Sequence, residues 1–392
     1  MTIVTSSPLC VAHENHTQKH APPKLDIDDH GVNPVVKNAE FALKVNIPLL
    51  FLARLAYNSI PDCFWSEREG HSDRFGIEWR TGWGEDSRTV HTGYWSLVAA
   101  IDRALEEGIP ITDPSFYSSE DLCPDALIAH IFRRAAQSSE NIPLLKERIA
   151  ILREVGSILT TQYRGSFQTF LNTLQEEHQG RATALHLVKK VTDTFPSFRD
   201  EVSFEGRRGE TKSSTASFAA DVQYKVCLWK RAQILVAESW AAFHPPTTSN
   251  LPHPLFPAGP AIHQLTMFAD YRVPQILHHL GILTYPPSLL DLLRNHAPFP
   301  SGSREEVSIR SASIVAVERV RREMLELKLA AISDSEGEED IGEEELEESV
   351  SSVMIDFFLW DLAKRVESGD ESIEGIQTTE IVPAHRTRSI WY

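Results

Sequence analysis

The chain has 392 residues, 42% of them hydrophobic, and a formal net charge of −17 at pH 7. A chain of this length can bury a large core, and its acidic balance argues against a surface built to neutralise nucleic-acid phosphates. No apolar run reaches the roughly 18 residues of a membrane helix, and no signal-peptide core is present at the start. The four cysteines are far apart and form no CxxC pair, so we expect a soluble, cytoplasmic protein.

The order of elements predicts a mainly α-helical fold with a small β element in the N-terminal third. Residues 1–30 are polar and predict a disordered tail, followed by a single domain over residues 31–392. Aromatic and glycine-rich pieces between residues 64 and 95 indicate a hairpin or small sheet. Amphipathic patterns then predict helices in succession. They cover residues 97–107 (ended by Gly108), 122–136, 143–165, 166–177, 182–194, 230–243, 265–280, 287–295, 304–332 and 349–366.

Two stretches within this domain are typical of surface loop insertions. Residues 209–225 are small and polar, whereas residues 333–348 consist mostly of carboxylates. Low hydrophobicity and repulsion between like charges favour mobile loops in both places. One generic hypothesis is therefore an acidic helical scaffold that binds basic partners through the second loop.

Two carboxylates stand inside an apolar stretch at residues 353–361, namely Asp356 and Asp361. A charged carboxylate in a core is unfavourable unless it is paired, so such residues are either structural partners or tools of acid–base and electrostatic catalysis. Helical positions five apart differ by about 140° in direction. The two carboxylates should therefore diverge, which argues against a shared-proton pair and favours two different tasks.

A second polar cluster lies in residues 266–275, where Asp270 follows Phe268 and precedes Pro274. Because proline is favoured near a helix start, Asp270 is placed either to cap that helix or to accept a hydrogen bond from a polar ligand. Both hypotheses remain open from the sequence. Glycine-rich nucleotide motifs, GxSxG and HExxH are absent, and we predict no metal and no cofactor.

Residues 383–392 combine basic and aromatic side chains after a polar stretch. This composition predicts that the segment packs back onto the body of the protein. We expect Arg386 or Arg388 to pair there with a buried carboxylate.

Seven ordered blocks of the sequence carry a resemblance to a known family. They are YWSLVAAIDRALEEGIPIT, FPSFRDEVSFEG, KRAQILVAESW, TMFADYRVPQILHHLGILTY, EVSIRSASIVAVE, IDFFLWDLAK and HRTRSIWY. These blocks resemble the queuosine salvage proteins, which are queuosine 5′-phosphate N-glycosylase/hydrolases. The resemblance spans residues 64–392 apart from the two loops, and it implies a helical fold related to DNA glycosylases. It also implies hydrolysis of the bond between ribose and the 7-deazaguanine base queuine, which is then reused in tRNA modification.

The resemblance further implies roles for single residues. Asp356 matches the catalytic aspartate, and four positions match substrate-binding residues: Phe268, Asp270, Phe357 and Asp361. Cleavage of an N-glycosidic bond builds positive charge on the sugar, which Asp356 would stabilise, or Asp356 would activate the attacking water. The implied partner is a small-molecule nucleotide, queuosine monophosphate, with no direct nucleic-acid or membrane partner, and we expect a monomer.

One departure from the family pattern supports an alternative function. Family members carry a pocket histidine ahead of the block that matches residues 64–67 (FWSE). The corresponding stretch in this chain, residues 44–62, contains no histidine. The alternative hypothesis is a non-catalytic module that binds a deazapurine.

Overall fold

The computed structural model describes residues 11–12, 63–82, 86–206, 222–242, 253, 255–256, 262–333, 346, 349–367, 369 and 378–392. Within these residues the fold is mainly α-helical, as predicted, with eleven α-helices and six short strands. The predicted tail at 1–30 lies outside the described residues except for a two-residue strand. Residues 44–62 and most of both predicted loops also lie outside them.

The first part of the fold contains the predicted β element. β1 (Val11–Ala12) pairs with β6 (Leu283–Thr284), while β2 (Gly76–Arg80) and β3 (Arg88–Thr92) form an antiparallel hairpin. The following helices are α1 (Tyr94–Glu106), α2 (Pro114–Tyr117) and α3 (Asp125–Ile131). α1 ends near Gly108, which has φ +75° and lies where the sequence predicts the helix to end.

α3 is shorter than the helix predicted over residues 122–136. Pro124 is the N-cap residue of α3. At the other end of α3, the guanidinium of Arg103 donates hydrogen bonds to the carbonyls of Ile131 and Arg133. These carbonyls therefore leave the helical hydrogen-bond pattern.

The middle of the chain forms three helices and a hairpin. The Ser166 side chain caps the helix Phe167–Glu177, and Thr183 forms a capping box at the helix Ala184–Thr194. Residues 222–225, assigned to a loop by the sequence, belong instead to a strand that pairs with residues 201–206. The elements are α4 (Leu145–Gln162), α5 (Phe167–Glu177), α6 (Ala184–Thr194), β4 (Glu201–Gly206) and β5 (Val222–Cys227).

In the last part of the chain, the described residues form five named helices. They are α7 (Lys230–Ala242), α8 (Arg272–His279), α9 (Pro287–Arg294), α10 (Arg304–Ser333) and α11 (Ser352–Glu367). The helix predicted over residues 265–280 is wrong in its first part, because residues 265–271 are irregular. None of the described helices combines the length and the apolar character that crossing a bilayer requires.

α11 lies between two hydrophobic cores. Val353 belongs to the core built mainly by α4–α7, and Phe357 packs against that core. Ile355 and Leu359 belong to the core built mainly by α8–α11. Asp356 therefore sits at the boundary of both cores, where water has little access.

Candidate active site

Asp356 is a nearly dry carboxylate held by one backbone amide. It is 4% exposed, and its Oδ1 accepts a hydrogen bond from the Phe268 N–H at 3.0 Å. The two residues are 88 positions apart in the chain, so sequence spacing gives no signal of this contact. The bond brings the middle of α11 against the irregular segment before α8.

Asp270 caps α8. Its Oδ1 accepts the N–H groups of Arg272 and Val273 at 2.9 and 2.8 Å, which confirms the capping hypothesis. These bonds also explain why the helix begins at Arg272 rather than at residue 265, since the cap takes the amides that start the helix. Among the described residues, no hydrogen bond is made to the other oxygen of Asp270.

The charged neighbour of Asp356 is Asp270, not Asp361. Burial raises the pKa of Asp356 well above its usual value, and the negative charge of Asp270 raises it further. Burial likewise raises the pKa of Asp270. Lys230, the buried first residue of α7, acts against both shifts and lowers both pKa values. Two carboxyl groups and one ammonium group thus form a low-dielectric cluster.

The two predicted aromatic residues stand beside this cluster. The rings of Phe268 and Phe357 have centroids 5.8 Å apart and planes inclined by 60°. A base inserted between two rings needs roughly 7 Å, twice a van der Waals separation of about 3.5 Å. The observed spacing is too small for a sandwich. Phe357 is half-buried while Phe268 is buried, so Phe357 has the more accessible ring.

Asp361 is not part of this cluster. Its side chain is 47% exposed, and its Oδ2 lies 3.2 Å from Nε of Arg365, one turn later on α11. The predicted divergence of Asp356 and Asp361 is therefore confirmed, because one faces the core boundary and the other the surface.

The segment of residues 378–392 packs onto the body, as predicted. Arg388 lies over the Trp65 ring with Cζ 3.3 Å from its centroid and donates to the Trp65 carbonyl at 2.7 Å. Arg386 pairs at 3.3 Å with Glu67, whose side chain is 65% exposed. The predicted pairing with a buried carboxylate is wrong, because the partner of Arg386 is exposed. Two buried carboxylates, Asp200 and Glu306, pair instead with Arg310 of α10.

No group of three or more His, Cys, Asp or Glu side chains is arranged to hold a metal ion in the part of the chain that the structure describes. A cavity of about 300 Å³ lies away from the carboxylate cluster, beside α1. Its arginines and glutamates include the Arg133–Glu107 ion pair, as expected of a solvated charged face.

Comparison with known proteins adds to this geometry. A family model described as queuosine salvage protein matches residues 55–392. The Schizosaccharomyces pombe protein named queuosine 5′-phosphate N-glycosylase/hydrolase is 36% identical over 335 residues, which cover 84% of this chain and 79% of that protein. Proteins of the same name from Bos taurus and Sphaerobacter thermophilus are 35% and 36% identical, covering 84% and 86% of this chain and 77% and 80% of their own lengths.

Proposed function

Because the chain belongs to the queuosine salvage protein family, we propose that it is an N-glycosyl hydrolase that cleaves queuosine 5′-phosphate. The reaction releases queuine for salvage into tRNA modification. The single observation that carries the assignment to this site is Asp356, a nearly dry carboxylate in the middle of α11.

Asp356 is the proposed catalytic residue. When the bond between C1′ and the base nitrogen breaks, the electron pair leaves with the base and positive charge develops on the ribose. A fixed carboxylate in a dry site stabilises that charge far better than water does. Water then forms the new bond at C1′ and loses a proton, which Asp356 would accept. The departing base anion takes up a proton from solvent and leaves as neutral queuine. Both roles require the ionised carboxylate.

Asp270 is the proposed acceptor for the base. Its Oδ1 is occupied by the helix cap, which leaves its second oxygen for a ring N–H or exocyclic amine of a deazaguanine. The cap also fixes the direction of the carboxylate, because two backbone amides hold one of its oxygens. Lys230 is proposed to balance the charge of the two carboxylates rather than to bind the phosphate, since it lowers the pKa of both.

Phe357 is the proposed stacking partner of the base, and Phe268 supports it from behind. The inclined rings favour stacking on one outer face. Asp361 is proposed to contact the periphery of the substrate, where it would exchange its partner Arg365 for a donor of the ligand.

We further propose that the substrate is the free nucleotide, with no direct contact to nucleic acid. The protein is proposed to act as a cytoplasmic monomer whose residues 31–392 form one domain of DNA-glycosylase-like architecture. Its proposed loop insertions are the predicted ranges 209–225 and 333–348 without residues 222–225, which belong to β5, and Ser333, which belongs to α10.

The test is release of queuine from queuosine 5′-phosphate, followed by chromatography, for the wild type and Asp356→Asn. We expect turnover by the wild type and a large loss in the variant. A folded wild type that releases no base contradicts the hydrolase proposal. Equal turnover by both proteins removes Asp356 from catalysis.

The alternative is a non-catalytic module that binds a deazapurine, and its support is the absence of histidine from residues 44–62. The names of the relatives do not favour it. Calorimetry separates the two functions. Queuine binding by a wild type that shows no turnover supports the alternative.

A further inference from the structure

Arg310 connects residues 268–270, the pocket segment, to distant parts of the fold. Its Nε donates to the Ala269 carbonyl at 2.7 Å. Its Nη1 and Nη2 donate to the two carboxylate oxygens of Asp200 at 3.2 and 2.5 Å, and Nη1 also donates to Glu306 at 3.0 Å. Arg310 is buried, and neither the proposed chemistry nor the proposed substrate contacts use it.

The carbonyl of Ala269, which accepts the hydrogen bond from Arg310, lies between the two candidate-site residues Phe268 and Asp270. Phe268 holds Asp356 through its N–H, and the Asp270 N–H donates to the Phe268 carbonyl at 2.6 Å. The Ala269 carbonyl and the Asp270 N–H belong to the same planar peptide unit. A donor that fixes the carbonyl of Ala269 therefore fixes the orientation of the whole peptide unit. The backbone nitrogen and Cα of Asp270 belong to that unit and are fixed with it.

Asp200 extends the same network to the third charged group of the site. One of its carboxylate oxygens accepts both Nη2 of Arg310 and, at 3.4 Å, the backbone N–H of Lys230. Its own carbonyl accepts the N–H of Leu228 at 2.9 Å. The residue that orients the Arg310 guanidinium thus also anchors the first turn of α7.

Tyr392 holds Arg310 from another side. The Arg310 Cζ lies 4.7 Å from the centroid of the tyrosine ring, and the hydroxyl donates to Glu306 Oε1 at 2.7 Å. His385 Nε2 lies 2.8 Å from the same hydroxyl. Since the single hydroxyl proton goes to Glu306, His385 must present an N–H. Burial and the charge of Arg310 lower the pKa of His385 to about 3, so this imidazole is neutral.

We propose that Arg310 and Tyr392 are positioning residues for the hydrolase site. Tyr392 and the two carboxylates hold the guanidinium in one orientation, and the guanidinium fixes the segment of residues 268–270 against Asp356. The planar, forked guanidinium suits this task because it reaches acceptors in several directions, whereas an ammonium group is a single point of charge.

The test compares Arg310→Lys and Tyr392→Phe with a matched control, Arg388→Ala. The control loosens the same 378–392 segment at Trp65 without touching Arg310 or the pocket. For Arg310→Lys we expect kcat/KM for queuosine 5′-phosphate to fall by roughly 10- to 100-fold. Tyr392→Phe keeps the ring and should show a smaller loss in the same direction, while Arg388→Ala should stay within about twofold of the wild type.

A pH profile gives a readout that a purely structural role would not move. The amide of Phe268 lowers the pKa of Asp356, so a displaced segment lets that pKa rise and shifts the acid limb of kcat/KM to higher pH. Asp270 and Lys230, the other charged groups that act on Asp356, are unchanged in these variants. Unchanged rates and an unchanged acid limb in folded Arg310→Lys and Tyr392→Phe overturn the proposal, as does an equal rate loss in Arg388→Ala at matched stability.

This inference rests on the proposed function, and a binding measurement keeps the two separable. If the wild type releases no base, the hydrolase proposal fails, and the affinity for queuine is compared instead by calorimetry. Weaker binding in Arg310→Lys and Tyr392→Phe, with wild-type affinity in Arg388→Ala, supports positioning of the pocket segment. Equal affinities in all four proteins overturn it. If Arg310→Lys fails to fold, the conservative Tyr392→Phe variant decides.

Discussion

Replacing Asp356 by asparagine should make the protein inactive and more stable at the same time. The substitution keeps an oxygen for the Phe268 N–H and removes a negative charge from a site that is 4% exposed. Loss of a preorganised electrostatic group at a transition state lowers kcat by roughly 10²- to 10³-fold. A larger loss is expected if Asp356 also accepts a proton from water.

The gain in stability follows from the balance of forces on the buried charge. Desolvation of a carboxylate is unfavourable by several kcal/mol, and a single charge-assisted hydrogen bond returns only about 1.5–3 kcal/mol. Asp270 adds repulsion, which the charge of Lys230 opposes. We expect a free energy of unfolding about 1–3 kcal/mol higher for Asp356→Asn at pH 8, which corresponds to a rise in Tm of about 1–5 °C for a chain of this length.

The sign of the pH dependence provides an independent check. Since the pKa of Asp356 is raised in the folded state, the folded protein binds this proton more tightly than the unfolded chain does. Its contribution to stability is present below the unfolded pKa and is lost as pH rises through the folded pKa. The difference between Asp356→Asn and the wild type should therefore widen from pH 4 upward and then level off.

Chemical denaturation at several pH values measures this difference, with base release assayed on the same samples. Asp361→Asn is the stability control on the same helix, because its half-exposed ion pair with Arg365 contributes about 0–1 kcal/mol. An Asp356→Asn variant that is less stable than the wild type at pH 8 refutes the reasoning, since Asp356 would then be a satisfied structural carboxylate.

Three further predictions concern the same site. Asp270→Asn keeps an acceptor for the helix cap, so its free energy of unfolding should stay within about 1 kcal/mol of wild type while its KM rises. Asp270→Ala also loses the cap, which should lower the free energy of unfolding by about 0.5–2 kcal/mol. Equal KM values for the wild type and both variants would exclude a contact to the base. The acid limb of kcat/KM should lie well above the pH at which an ordinary aspartate titrates, because burial and Asp270 raise the pKa of Asp356, and a limb near pH 4 contradicts this. Phe357→Ala should raise KM much more than Phe357→Tyr, which keeps a stacking ring; similar KM values for the two variants would argue against stacking.

The helical pattern predicted most of the fold because local periodicity and capping residues decide it. Ser166, Thr183 and Gly108 lie where the sequence predicts helix boundaries. The errors arise where tertiary contacts override local preference. Residues 265–271 have helical periodicity, yet the amide of Phe268 bonds to Asp356 instead.

The sequence and the resemblance nominate the residues of the candidate site, but they give no information on its arrangement. Asp356 and Asp270 stand out as carboxylates near apolar residues, and the resemblance assigns them roles. Their mutual repulsion and the contribution of Lys230 depend on which segments meet in space. The burial of Arg310 could not be predicted from the sequence either, because a charged residue within a helical pattern usually lies on the solvent-exposed face.

The network around the pocket also bears on how the protein folds. The Phe268–Asp356 bond closes a separation of 88 residues, the Asp200–Arg310 pair one of 110, and the Tyr392–Glu306 bond one of 86. Contacts of such high sequence separation require large loop closures and form late. Recovery of enzymatic activity during refolding should therefore lag behind recovery of helical circular dichroism, so that turnover reports completion of the native topology rather than the formation of its helices.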